Sequence, residues 1–207
     1  MNAYDFTPHD NDTFAFSVAP KLTRNQKLHQ SILPEFGDED RPGLERCPAC
    51  KEMLNKWEVP LDGLRIRKRR LEVGATYDGL TVVNERFKGV YEENQLTGLD
   101  FRQLAADPGF YAIRPLRSVA FDAERSQTRF EYLCNVCGKY ESIILVAPVM
   151  LKAEERISPR EFVRSDVEFA SNDEKSPLIL CGEQAGAVLK AMRFKGLELL
   201  LYTVNDG

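Results

Sequence analysis

Two short cysteine pairs, Cys47-Pro48-Ala49-Cys50 and Cys134-Asn135-Val136-Cys137, are the residues of this chain best suited to chemistry. Two thiolates at a tight turn present both sulfurs to one soft metal ion, and two such turns complete the tetrahedral ligand set of a structural zinc site. Gly138 follows the second pair, where a knuckle turn asks for a left-handed residue, whereas Lys51 holds that place after the first. Arg46, Lys51 and Lys139 flank the ligands and are expected to offset part of the thiolate charge.

Other cysteine chemistries fit less well. A redox pair belongs at the start of a helix in a βαβ unit, but Cys134 follows the strand-like Arg129-Phe130-Glu131-Tyr132-Leu133 and precedes an apolar run from Ile143 to Val146. That pattern reads as a hairpin holding a knuckle. Met1-Asn2-Ala3-Tyr4-Asp5 lacks the basic and apolar regions of a secretory signal, so the expected compartment is the reducing cytoplasm, where disulfides do not persist. An iron-sulfur cluster takes the same four ligands, and zinc is preferred because nothing else here suggests electron transfer. Cys181 ends an apolar strand and reads as packing.

Catalysis has little to draw on. The two histidines, His9 and His29, neighbour no nucleophile or ligand partner in sequence, and four cysteines on one zinc leave no open position for water. The adjacent carboxylates Glu92-Glu93 and Glu154-Glu155 diverge by ~100° on a helix, which suits a solvated face better than an acid-base pair. No enzyme is expected.

The elements that must position the cysteines come next. A chain of 207 residues with 43% hydrophobic content buries a substantial core, and its net charge of -4 argues against general nucleic-acid binding. No apolar run approaches the ~18 residues that span a bilayer, so no membrane contact is expected. Residues 1–45 read as an irregular, extended segment, with a short strand over Phe14-Ala15-Phe16-Ser17-Val18 and a polar linker over residues 36–43. The basic run Arg65-Ile66-Arg67-Lys68-Arg69-Arg70 reads as a solvated edge strand in preference to a phosphate-binding patch.

The chain also aligns on itself. Asp78 to Phe101 matches Ser176 to Leu199 without gaps, each copy reading strand, helix, strand. Asn84 or Gly182 precedes a helix opened by Glu85 or Glu183, whose charge complements the helix dipole. Phe87, Val90 and Tyr91 in one copy, and Ala185, Val188 and Leu189 in the other, recur at helical spacing. Gly98 and Gly196 then allow a sharp return into the last strand. The order of parts is knuckle, module, knuckle, module. The expected fold is α+β, two strand-helix-strand modules with a four-cysteine zinc ribbon. Residues 1–45 form the N-terminal segment, 46–150 the two cysteine pairs around the first module, and 151–207 the C-terminal module.

These parts resemble the double-CXXCG motif family of bacterial immunity proteins. The paired knuckles carry the resemblance, together with Val83-Asn84-Glu85-Arg86-Phe87, Leu96-Thr97-Gly98-Leu99-Asp100-Phe101 and Phe162-Val163-Arg164-Ser165-Asp166-Val167-Glu168-Phe169. It covers Cys47 to the C-terminus and departs from the family pattern at Lys51, where that pattern has glycine. The resemblance implies a cytoplasmic protein that binds and neutralises a cognate toxin, with Zn2+ held by Cys47, Cys50, Cys134 and Cys137. The alternative is a zinc-ribbon nucleic-acid-binding or regulatory module. An acidic patch from Glu92, Glu93, Glu154 and Glu155 would speed association with a basic toxin.

Overall fold

The β-branched run Thr81-Val82-Val83 favours a strand whose alternate side chains serve two cores, and the molecule is built on that alternation. The computed structural model describes residues 2–10, 13, 15, 40–146 and 148–203. In chain order the elements are β1 (Asn2–Asp10), β2 (Val73–Ala75), β3 (Thr81–Asn84), α1 (Glu85–Glu93), β4 (Leu99–Gln103), β5 (Phe110–Pro115) and β6 (Ser118–Val119). Then follow β7 (Arg129–Leu133), β8 (Tyr140–Ile144), β9 (Phe162–Ser171), a 3-10 turn at Asn172–Glu174, β10 (Ser176–Gly182), α2 (Glu183–Met192) and β11 (Leu197–Thr203). The described residues are mostly β-sheet with two helices, in keeping with the α+β class expected from the sequence.

The strands follow one path, β4-β5-β3-β2-β1-β10-β9-β8-β7, with β11 also on β1 and β6 beside β9. Two four-strand groups on this path match in order. In β2-β3-β5-β4, β5 runs antiparallel between β3 and β4; in β9-β10-β1-β11, β1 runs antiparallel between β10 and β11. The registers correspond as well: Val83 sits opposite Val73 and Tyr111, and Cys181 opposite Phe162 and Tyr4.

β1 corrects the expectation of an irregular N-terminal segment. Over Asn2–Pro8 it pairs with β11, over Ala3–Asp5 with β10, and at His9–Asp10 it runs parallel to β2. Its alternation is diluted by Asp5, Pro8 and His9, so a strand signal based on apolar runs passes over it. The expected strand at 14–18 lies outside the described residues except for Ala15, and so does the first half of the 36–43 linker.

α1 starts where expected, because Asn84 Oδ1 accepts a hydrogen bond from the Phe87 N–H (3.1 Å) and Glu85 stands in the first turn. α2 begins at Gly182 with no side-chain cap, and the glycine is required by packing: a Cβ there would lie 2.1 Å from the Ser158 carbonyl oxygen. Gly98 and Gly196 return the chain at φ +92° and +88°, and each meets the first strand of the other group, Gly98 at the Phe162 oxygen and Gly196 at the Val73 oxygen.

Both helices share one core. Phe87 and Val90 from α1 and Ala185 and Leu189 from α2 join Phe6, Val83, Cys181 and Phe162. The fully buried Phe87 ring packs edge-on against Phe6 and Phe162 and lies 5.3 Å from Phe194, uniting strands and helices on either side of residue 150. Burial of one such ring contributes roughly 1.5–3 kcal/mol. The opposite sheet faces are covered by loops, with Val59, Leu61, Leu64 and Ile66 over Val82 and Ala112, and Phe121, Val149 and Leu151 over Val163 and Leu180.

The basic run is not an edge strand. Asp107 Oδ2 takes the Ile66 N–H and Thr13 Oγ1 the Arg67 N–H, so side chains satisfy donors that a strand would offer to a neighbour. Residues 64–71 form a turn-rich loop anchored by buried Leu64 and Ile66. Among the described residues, no helix is long and apolar enough to cross a membrane.

Candidate metal centre

The two cysteine pairs form turns with the same hydrogen-bond pattern on different supports. In the second, β7 and β8 make the hairpin expected from the sequence; Cys134 donates its N–H to Lys139 O (2.9 Å) and Gly138 its N–H to Cys134 O (2.9 Å). In the first, Cys47 donates to Glu52 O (2.9 Å) and Lys51 to Cys47 O (3.0 Å), closed by a single antiparallel bridge between Arg46 and Met53. Gly138 holds φ 72° and Lys51 holds φ 65°, so lysine takes the same left-handed geometry at a conformational cost of about 1 kcal/mol.

The fold brings all four sulfurs together. They lie within 4.8 Å of one another, with Cys47 Sγ 3.8 Å from Cys134 Sγ and Cys50 Sγ 3.6 Å from Cys137 Sγ. Tetrahedral ligands at a zinc–sulfur distance of about 2.3 Å stand about 3.8 Å apart, so the cluster fits one ion at its centre. Cys47 is buried and the other three are partly exposed.

The local electrostatics favour charged sulfur at Cys134 and Cys47 and oppose it at Cys50. The N–H groups of Cys137 and Val136 hold the Cys134 thiol down to about 6, and the N–H of Cys50 leads the lowering of Cys47. Cys50 goes up to about 12: the Glu52 N–H lowers it, but burial and the three neighbouring sulfurs raise it further. Two thiolates are thus favoured by backbone donors, and further negative charge calls for a cation between the sulfurs.

Each of the flanking cations is held by specific partners around the knuckles. Arg46 is held bidentately by both Asp40 and Asp173 and also donates to Lys51 O, which raises its pKa and ties the first knuckle to the turn after β9. Lys51 Nζ donates to Pro48 O, and Lys139 Nζ to Met53 O across the centre. Beneath lies a buried ionic network absent from the sequence reading. Lys175 Nζ pairs with Glu52 (2.6 Å) and donates to Tyr140 O, while Lys56 Nζ pairs with Glu168 (3.2 Å) and donates to Lys175 O. Burial lowers the Lys56 pKa, opposed by Glu168. No local pattern marks these residues, because each partner comes from a distant part of the chain.

The remaining candidates stay apart from this centre. His9 faces Glu198 at 3.4 Å on the surface, and His29 lies outside the described residues. Cys181 is buried in the shared core, where burial pushes its thiol up to about 12. Glu92 pairs with Lys88 at the end of α1, whereas Glu155 accepts the Ala120 N–H and faces Arg117 in the loop before β9. No protein-family model matches this chain, and no curated protein matches its sequence.

Proposed function

We propose that this chain is an immunity protein that neutralises a bacterial toxin by binding it in the cytoplasm, with structural zinc on Cys47, Cys50, Cys134 and Cys137. In this reading two strand-helix-strand modules form the body and the zinc ribbon displays the contact surface. The matching strand orders, with Gly98 and Gly196 seated reciprocally, support the modular part. The observation that carries the binding role is the distribution of exposed apolar side chains. Among the described residues, seven of the eleven exposed large apolar side chains, Leu54, Phe130, Tyr132, Leu133, Val136, Ile144 and Val146, lie beside the first knuckle or on the β7–β8 hairpin and its exit, while Leu116, Met192, Leu200 and Leu201 lie elsewhere. Such a concentration marks a protein-docking surface, and β7 is the edge strand of the sheet among the described residues. The ion would fix that surface and leave catalysis to no residue of the site. Zinc suits a closed four-sulfur set, and the close sulfur spacing suits one ion better than a multi-iron cluster.

The test is co-expression with the product of each neighbouring reading frame. Growth inhibition by one of them should be relieved and a complex should purify. Val136→Asp should weaken that complex at least tenfold while retaining the metal, whereas Cys134→Ser should lose the metal, cooperative unfolding and protection together. Metal analysis should return about one zinc per chain; iron in its place would refute the zinc assignment. A second reading, a nucleic-acid-binding ribbon, draws on Arg65, Arg67 and Arg70, which are exposed on the loop before β2. Salt-dependent binding to DNA or RNA, with no toxin relieved, would select it.

A further inference from the structure

We propose that the cleft where β10 and β2 part along β1 is a binding site for an alkylammonium group, with Asp5 as its counter-ion. β1 pairs with β10 at Ala3–Asp5 and with β2 at His9–Asp10, leaving Phe6 to Pro8 between the two partners. A cleft of about 300 Å³ opens there. The β2–β3 turn closes one end, with Gly79 against Lys175 O and Ser176 Cβ so tightly that an added Cβ would lie 2.8 and 3.0 Å away.

The lining is selective in sign. Asp5 is 8% exposed, and its side-chain hydrogen bond comes from Thr7 Oγ1 at 3.2 Å. An ionised carboxylate offers about four acceptor positions, so this one is under-supplied by the described residues. Glu174 stands exposed at the rim, Thr81 and Ser176 add hydroxyls, and no lysine, arginine or histidine side chain lines the cleft among the described residues. Lys175, next in sequence, turns its ammonium away to Glu52 and Tyr140 O.

The shape favours an elongated cation. Leu178, which shares the sheet face of Asp5 and Leu180, supplies apolar wall for a hydrocarbon stem, while a single buried carboxylate falls short of the six or more oxygens a calcium-like ion takes. Burial raises the Asp5 carboxyl to about 6, and a cation seated beside it would favour its ionised form. A free amine and a lysine side chain of a partner protein share this chemistry.

Titration of the full chain with n-butylammonium chloride at constant ionic strength, followed by amide NMR, tests the assignment. Saturable shifts are expected at Thr7, Thr81 and Ser176, with at least tenfold weaker binding in Asp5→Asn and none with n-butanol. Glu174→Gln changes only the exposed rim and should weaken binding two- to threefold, which keeps the test sound should Asp5→Asn perturb the fold. Tighter binding of Nα-acetyl-lysine methylamide than of butylammonium would identify a partner's lysine, and the reverse order a free amine. Absence of saturable shifts, equal response to n-butanol, or unchanged affinity in both variants would overturn the proposal.

Discussion

Asp5 is an acid placed in a strand flanked on both sides, between Leu180 of β10 and Leu200 of β11. Burial raises its carboxyl from 3.8 to about 6, against a smaller lowering by Thr7. Its folded pKa therefore exceeds the unfolded value, so its contribution to stability is fully present below about pH 4 and is lost as pH rises through about 6. Asp5→Asn should raise unfolding free energy at pH 7 by on the order of 2 kcal/mol and leave it nearly unchanged at pH 3.5, as read from urea melts. An equal effect at both pH values would refute this account. Asp5 also marks the limit of sequence reading at this scale. The cysteine cluster is legible because a turn and its two sulfurs are local, whereas Lys56 and Lys175 meet across 119 residues and look like any surface lysines until the chain is folded.

At the scale of elements, hairpin β7–β8, both helices and their flanking strands are legible because each has a local cause: a two-residue period, an Asn84 cap, apolar positions at helical spacing. The loop at 64–71 is not, since its backbone donors are claimed by Thr13 and Asp107, residues no window around the run contains. The knuckles allow a direct comparison of one turn with glycine and one with lysine at positive φ. Lys51→Gly should stabilise the metal-bound protein by roughly 0.5–1 kcal/mol, because it removes left-handed strain and gives up only an exposed contact to Pro48 O. Unchanged metal content with a higher urea midpoint is the expected result; a lower midpoint would show that the lysine contact outweighs the strain.

The whole molecule depends on β1. In the first strand group the chain supplies the central antiparallel strand from β5, directly after β4, whereas in the second it comes from the other end of the sequence. Removing residues 2–10 would leave β10 and β11 without the strand between them and uncover Phe6's place among Phe87 and Phe162. Loss of cooperative unfolding is expected. A permuted chain with the same residues joined after 203 by a short linker should restore it, because β11 to β1 then repeats the connection from β4 to β5. Full stability of the deleted chain would rule out the central role of β1.

The position of β1 also sets an order in time. It is synthesised before every other described element, while the two strands it lies between are made last. The first strand group and the hairpin can assemble on the growing chain, but the second group waits with an open strand edge until translation has passed β11. Folding therefore finishes by fastening an early strand to a late one, and slowed translation downstream of β9 would lengthen the interval in which that edge is free to pair with the wrong chain.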